Sequence, residues 1–167
     1  ITNGGGGEFG GGINIPSLSF SSFKIIKSRI YNNKSTSQGG GLRRYLNNQN
    51  SGDYSSILQL VITDCRIDSN SSGYGGGLLT NFTTINNSII SENSATRAGG
   101  LYADRVTINN SIIANNTATY WGAGFFSGNN IYNSKIHHNK SQVEAGALYL
   151  VNWCPSNCYD WEFIGNQ

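Results

Sequence analysis

Four successive 23-residue segments fill the second half of the chain, starting at Gly76, Gly99, Gly122 and Ala145. The first two share Gly-Gly-Leu, then Thr-Ile-Asn-Asn-Ser-Ile-Ile, then Ala-Thr in register. A fixed period of this size indicates a solenoid or array. The first half carries the same marks with longer spacers. Gly-rich starts fall at Gly10-Gly11-Gly12, Gly39-Gly40-Gly41 and Gly75-Gly76-Gly77, and later at Gly99-Gly100, Gly122-Ala123-Gly124 and Gly146-Ala147. Each is followed by an apolar residue with Asn three places on: Ile30/Asn33, Ile67/Asn70, Ile90/Asn93, Ile113/Asn116, Ile136/Asn139 and Phe163/Asn166. The repeat therefore predicts six rungs.

A rung of this length has no room for two helices, and its apolar residues alternate with a period of two between Gly and Asn punctuation. The reading is all-β: one single-stranded, right-handed parallel β-helix over residues 1–167, the hand following the general rule for parallel crossovers. Ile30, Ile67, Ile90, Ile113, Ile136 and Phe163 form a core column. The preceding column (Arg29, Arg66, Ile89, Ile112, Lys135, Glu162) tolerates charge and faces solvent, and the one before it (Ser28, Cys65, Ser88, Ser111, Ser134, Trp161) points inward again. Ile25, Ile62, Ile85, Ile108, Ile131 and Cys158 form a second core column, and Ile13, Leu42, Leu78, Leu101, Phe125 and Leu148 a third. Asn33, Asn70, Asn93, Asn116, Asn139 and Asn166 are expected as an internal ladder, each amide bonding turn backbone and the next rung's Asn.

Composition matters here because a chain this rich in small polar residues can be disordered. Asn supplies 23 residues and Ser plus Thr 31. Disorder goes with high net charge and few aromatics, whereas the net charge is +2 and aromatics reach 11%. The same small charge gives no nucleic-acid footprint, and no apolar run approaches the ~18 residues of a membrane span.

The alternation of Gly-Gly-Leu-Leu (76–79), Gly-Gly-Leu-Tyr (99–102), Gly-Ala-Gly-Phe (122–125) and Ala-Gly-Ala-Leu-Tyr (145–149) with Phe163-Ile164-Gly165-Asn166 and five Ile-x-x-Asn versions resembles the repeats of the polymorphic outer-membrane proteins. These are surface autotransporter adhesins with β-helical passenger regions. Most rungs here carry Ile where that family has Phe. The resemblance implies a secreted, extracellular or cell-surface role in adhesion or assembly and carries no catalytic residues. In such a secreted setting Cys154 and Cys158, which flank Pro155-Ser156-Asn157, are the candidate disulfide. Cys65 lies four rungs from Cys158, roughly 19 Å along the stack and beyond disulfide reach.

Insertions cluster at one corner. The step from Leu101 to Ile108 takes seven residues, but that from Leu42 to Ile62 takes twenty, so a loop over about 43–58 is expected to carry Arg43, Arg44, Tyr45, Asp53 and Tyr54. The first and last rungs insert at the same corner, around 16–22 and 153–157. Insertions on one face of a repeat often mark a binding face, against the plainer reading of a tolerated loop. Outward aromatics are the other candidate surface: Tyr102, Phe126 and Tyr149 beside Leu101's column, and Tyr132 next to Tyr159. Stacked rings of this kind suit sugars or another protein. Of the N-x-S/T sequons, Asn33, Asn70 and Asn139 belong to the ladder, leaving Asn81, Asn86, Asn109 and Asn115 as outward glycosylation candidates.

An enzyme is the sharper alternative. Glycoside hydrolysis needs two carboxylates about 5–9.5 Å apart, yet the acids are scattered, and Asp160 with Glu162 is the one plausible pair. Glu162 falls beside Lys135, where a surface ion pair suffices. No catalytic residue and no cofactor is therefore assigned. His137 and His138 are consecutive strand residues expected on opposite sides, which gives no metal site. Three classes remain, led by a non-enzymatic structural or adhesive module, with a carbohydrate-binding module and a polysaccharide lyase or hydrolase behind it. The expected partners are neighbouring repeats or other copies stacked end to end, and glycans.

Overall fold

The computed structural model describes residues 1–5, 7–16, 22–45, 59–127, 130–151 and 161–164. Asn166, Cys154, Cys158, Tyr159, Asp160 and most of the expected loop lie outside these residues. Within them the chain is all-β, and every strand pairing is parallel. Three sheets run along the stack. One contains Arg29–Tyr31, Arg66–Asp68, Ile89–Ser91, Ile112–Ala114, Ser134–His137 and Trp161–Ile164, in chain order. A second contains Gly7–Phe9, Ser35–Gln38, Ser71–Tyr74, Ser94–Arg97, Thr117–Ala118 and Lys140–Ser141. The third is built on Leu78–Asn86 and Leu101–Asn109, each nine residues long, against which the shorter strands of other rungs pair.

Register bears out the first sheet column by column. Arg29 aligns with Arg66, Ile89, Ile112, Lys135 and Glu162, and Ile30 with Ile67, Ile90, Ile113, Ile136 and Phe163. The buried Ile side chains of that second column are at most 2% exposed. With Leu42, Leu60, Ile62, Leu78, Ile85, Leu101 and Ile108, all at 0%, they form one continuous core. Burying each such side chain contributes about 1.5–3 kcal/mol.

The Asn ladder is the polar counterpart of that core. Asn33, Asn70, Asn93, Asn116 and Asn139 are 0–1% exposed. Asn93 Oδ1 accepts from Asn70 N at 2.9 Å and from Asn70 Nδ2 at 3.0 Å. Asn93 Nδ2 in turn donates to Asn116 Oδ1 and to Ile67 O. The same pattern links Asn33 to Asn70 and Asn116 to Asn139, so the buried amides are satisfied by their neighbours. A Ser ladder accompanies it. Ser88 and Ser111 Oγ accept from Cys65 N and Ser88 N, and each hydroxyl donates to the carbonyl two residues back. Cys65 thus takes a Ser position, with its buried thiol donating to Thr63 O.

Left-handed backbone sits beside the ladders rather than on them. Positive φ falls on Asn32, Ser69, Glu92, Asn115 and His138, each just before a ladder Asn, and on Lys27, Asp64, Asn87, Asn110 and Asn133, before the Ser column. The ladder Asn residues themselves are therefore spared the left-handed backbone, and their amides bond chiefly between rungs. At the third corner Gly77 packs against the ladder. A Cβ there would meet Gly100 O at 2.6 Å and Asn93 Nδ2 at 2.9 Å, so only a bare backbone fits without displacement.

The Leu column needs one correction. Leu42, Leu78 and Leu101 align as expected with Ile13, but the next rung supplies Gly124, not Phe125, before Leu148. Leu101 to Gly124 keeps the regular 23 residues, and the extra residue enters one rung later, at the corner after Ser141, where Gln142 N and Val143 N both donate to Thr119 O. The repeat there takes 24 residues, and a strict 23-residue reading slips by one.

Candidate functional site

The slip changes the aromatic column. Tyr102 aligns with Phe125 and then Tyr149, while Phe126 aligns with Ala103 and Leu150 on the opposite parity. Phe126 is therefore not the register partner of Tyr102 or Tyr149. Tyr132 lies on the Asn109 column as expected and is half-buried, and its expected neighbour Tyr159 is outside the described residues.

What the structure assembles around Tyr102 and Tyr149 is broader than a ribbon. Trp121 stacks on Tyr149 with ring centroids 5.0 Å apart and planes at 26°, and packs against Tyr102 at 6.2 Å and Tyr120 at 6.3 Å. Tyr74 meets Tyr102 edge-on at 6.0 Å. Arg97 lies over the rings of Tyr74, Tyr120 and Trp121 at 5.2–5.9 Å and donates to the Tyr74 hydroxyl. Trp121 Nε1 donates to Glu144 Oε2. Rings, cation and carboxylate thus form one patch at the corner between the second and third sheets. Its rings are tilted and partly engaged with one another, with Tyr149 39% exposed at its edge. Burial, followed by the nearby Tyr45 and Tyr74, pushes the Tyr102 phenol above its ordinary range.

Trp121, Tyr120, Tyr74 and Arg97 sit at or beside the third corner, where strand alternation ends. Period-two reading assigns no face to such residues. The recurrence of a large residue just before each Gly start (Tyr74, Arg97, Tyr120-Trp121) was the signal available in the sequence.

The insertion corner lies farther along the same sheet. Arg43 and Arg44 are not in a loop: Leu42–Arg44 is a strand in register with Leu78, Leu79 and Thr80. Arg44 points inward in the column of Ile15 and Thr80 and is 0% exposed. Its Nη1 donates to Asn81 O at 3.2 Å and Phe82 O at 3.4 Å. Phe82, at φ 50°, bends the long strand there and turns backbone carbonyls toward the guanidinium. Burial lowers the Arg44 pKa. Neighbouring Thr80 and Thr83 hydroxyls bond each other. Tyr45 follows the strand and is half-buried, while residues 46–58, including Asp53 and Tyr54, lie outside the described residues.

The same bend overturns one glycosylation candidate. Asn81 is 3% exposed, because it sits where the strand turns and alternation fails. Asn86 and Asn109 are half-buried and joined to each other, Asn109 Nδ2 donating to Asn86 Oδ1 at 2.8 Å. Asn115 is exposed on a left-handed turn.

On the first sheet's outer face, Arg29 and Arg66 both bond Asp68, Arg29 through a two-pronged contact at 2.6 and 2.9 Å. The Asp68 side chain is 1% exposed. Burial pushes its pKa up, but the hydrogen bonds and charges of the two guanidiniums outweigh that and hold it below the usual carboxylate range. Arg66 also reaches Glu92 at 3.4 Å. These acids are thus neutralised by arginines rather than paired with each other. No family model, no curated protein and no solved structure matches this chain.

Proposed function

We propose that this chain is a non-enzymatic structural or adhesive β-helix module of the extracellular space or cell surface, with the Trp121 corner as its contact surface. The observation that carries the reading is that patch: five aromatic rings and Arg97 drawn from successive rungs into one surface on a rigid scaffold. Loops and corners held by a rigid frame are where binding residues concentrate. The repeat's resemblance to surface adhesins supports the location. The occupied states of Asp68 and Glu144, one held by arginines and the other by an indole, support a role without acid–base chemistry. Parallel sheets of this kind propagate along the stack, which suits assembly end to end with further rungs or copies. If the chain passes through a eukaryotic secretory route, Asn115 is the sequon best presented for a glycan, with Asn86 and Asn109 constrained by their mutual bond.

Carbohydrate binding is the second reading, favoured by the stacked Trp121–Tyr149 pair at the exposed edge of the patch, since aromatic faces combine apolar area with a polar rim. A cell-adhesion assay and a glycan array, run on the native chain and on a Trp121→Ala/Tyr149→Ala variant, test both. Adhesion lost in the variant without any glycan signal supports the structural reading, and variant-sensitive glycan signal supports the second. Equal adhesion by both proteins would overturn the assignment of this surface.

A further inference from the structure

We infer that His137 and His138 form a two-imidazole site for a divalent transition-metal ion of the nickel or copper type, at the turn that leaves the first sheet. Strand alternation alone would send the two side chains to opposite faces. The backbone prevents it: His137 ends the strand Ser134–His137 with its side chain outward, and His138 takes φ 52°. The two Nδ1 atoms come within 2.7 Å of each other, with ring planes at 88°. His138 is exposed and His137 half-exposed, so solvent reaches the pair. Ala114 is the register partner of His137 on the preceding rung and is 3% exposed.

In the metal-free pair one Nδ1–H donates to the other ring's lone pair. Moving that proton to Nε2 is a change of tautomer with no net gain or loss of protons, and it leaves two unprotonated Nδ1 atoms side by side. Metal–imidazole bonds are about 2.0–2.1 Å long. Two such bonds at a right angle place the nitrogens about 2.9 Å apart, and at a tetrahedral angle about 3.4 Å. The observed separation is closer to the right angle of tetragonal or octahedral ions, and imidazole suits copper and nickel. Asn115 occupies the corresponding turn position one rung earlier and is exposed, so the site opens to solvent on that side. Water fills the remaining positions.

Nickel(II) is the probe because it does not oxidise thiols and its paramagnetism broadens nearby resonances. Titrated into the folded chain, it should broaden the backbone amides of Ala114, Asn115, His137 and His138 first. His138→Asn keeps a residue that the equivalent turns at Asn32 and Asn115 already use, and His137→Ser matches Ser91 in its own column. Loss of an outer-sphere partner alone costs ~10–100-fold in metal affinity, so each variant should bind at least roughly tenfold more weakly. Unchanged ladder resonances in the variants would show that the fold is retained. Broadening that spares residues 137–138, or that persists equally in both variants, would overturn the site.

Discussion

Replacing Asn93 by Ala removes four hydrogen bonds at the middle of the ladder. The partners are not equally affected. Asn116 Oδ1 keeps its bond from Asn93 N, but Asn70 N and one Asn70 Nδ2 proton lose their acceptor in a site that is 1% exposed. Each buried donor left unmade costs about 1–3 kcal/mol, and the lost side-chain volume adds to this. The expected destabilisation is about 3–6 kcal/mol, a large share of the 5–15 kcal/mol typical of a domain. Asn93→Asp should behave differently with pH. A buried carboxylate beside Asn116 Oδ1 and Ile67 O has its pKa raised above the unfolded value, since only the protonated acid can donate to them. Its stability relative to the native chain is therefore best below the unfolded carboxylate pKa, about 3.9, and is lost as pH rises through the folded value. Urea unfolding followed by circular dichroism at pH 4 and pH 7 measures both effects. A cost below 1 kcal/mol for Asn93→Ala, or an Asn93→Asp variant that gains stability toward pH 7, would refute the ladder argument.

Other perturbations act at separate points. Gly77→Ala forces a Cβ against Gly100 O and Asn93 Nδ2 and should cost about 1–3 kcal/mol by urea unfolding, the range for overpacking. Asp68 contributes stability that is present above the unfolded carboxylate pKa and lost as pH falls through its depressed folded value. Asp68→Asn should therefore flatten the acid limb of the stability profile while costing roughly 1–2 kcal/mol at pH 7.

Much of this architecture was legible because the relevant side chains obey strict periodicities. Ile30 to Ile136 recur on one parity of short strands, and Asn33 to Asn139 recur three residues later, so burial and repeat agree. The errors fall where periodicity stops carrying information. The extra residue of the 24-residue step enters after Ser141 and not a rung earlier, a placement invisible in composition, so Phe125 rather than Phe126 shares the register of Tyr102 and Tyr149. Asn81 and Arg44 were misassigned because the bend at Phe82 turns carbonyls inward and makes a guanidinium an acceptable core residue. His137 and His138 converge, and Trp121 gathers Tyr74, Tyr102, Tyr120 and Tyr149, at corners where φ changes sign or strands end. Resolving those required the backbone path.

Hydrogen exchange of the Asn side-chain amides tests the central claim most directly, because the stacked ladder ties turn geometry, burial and rung register together. Asn70, Asn93 and Asn116 each donate Nδ2 protons to a neighbouring Oδ1 and to a buried carbonyl. Their NH₂ pairs should exchange only with opening of the rungs, far more slowly than the exposed Asn115 amide. Exchange of all three at the rate of Asn115 would contradict a closed, inward-facing ladder.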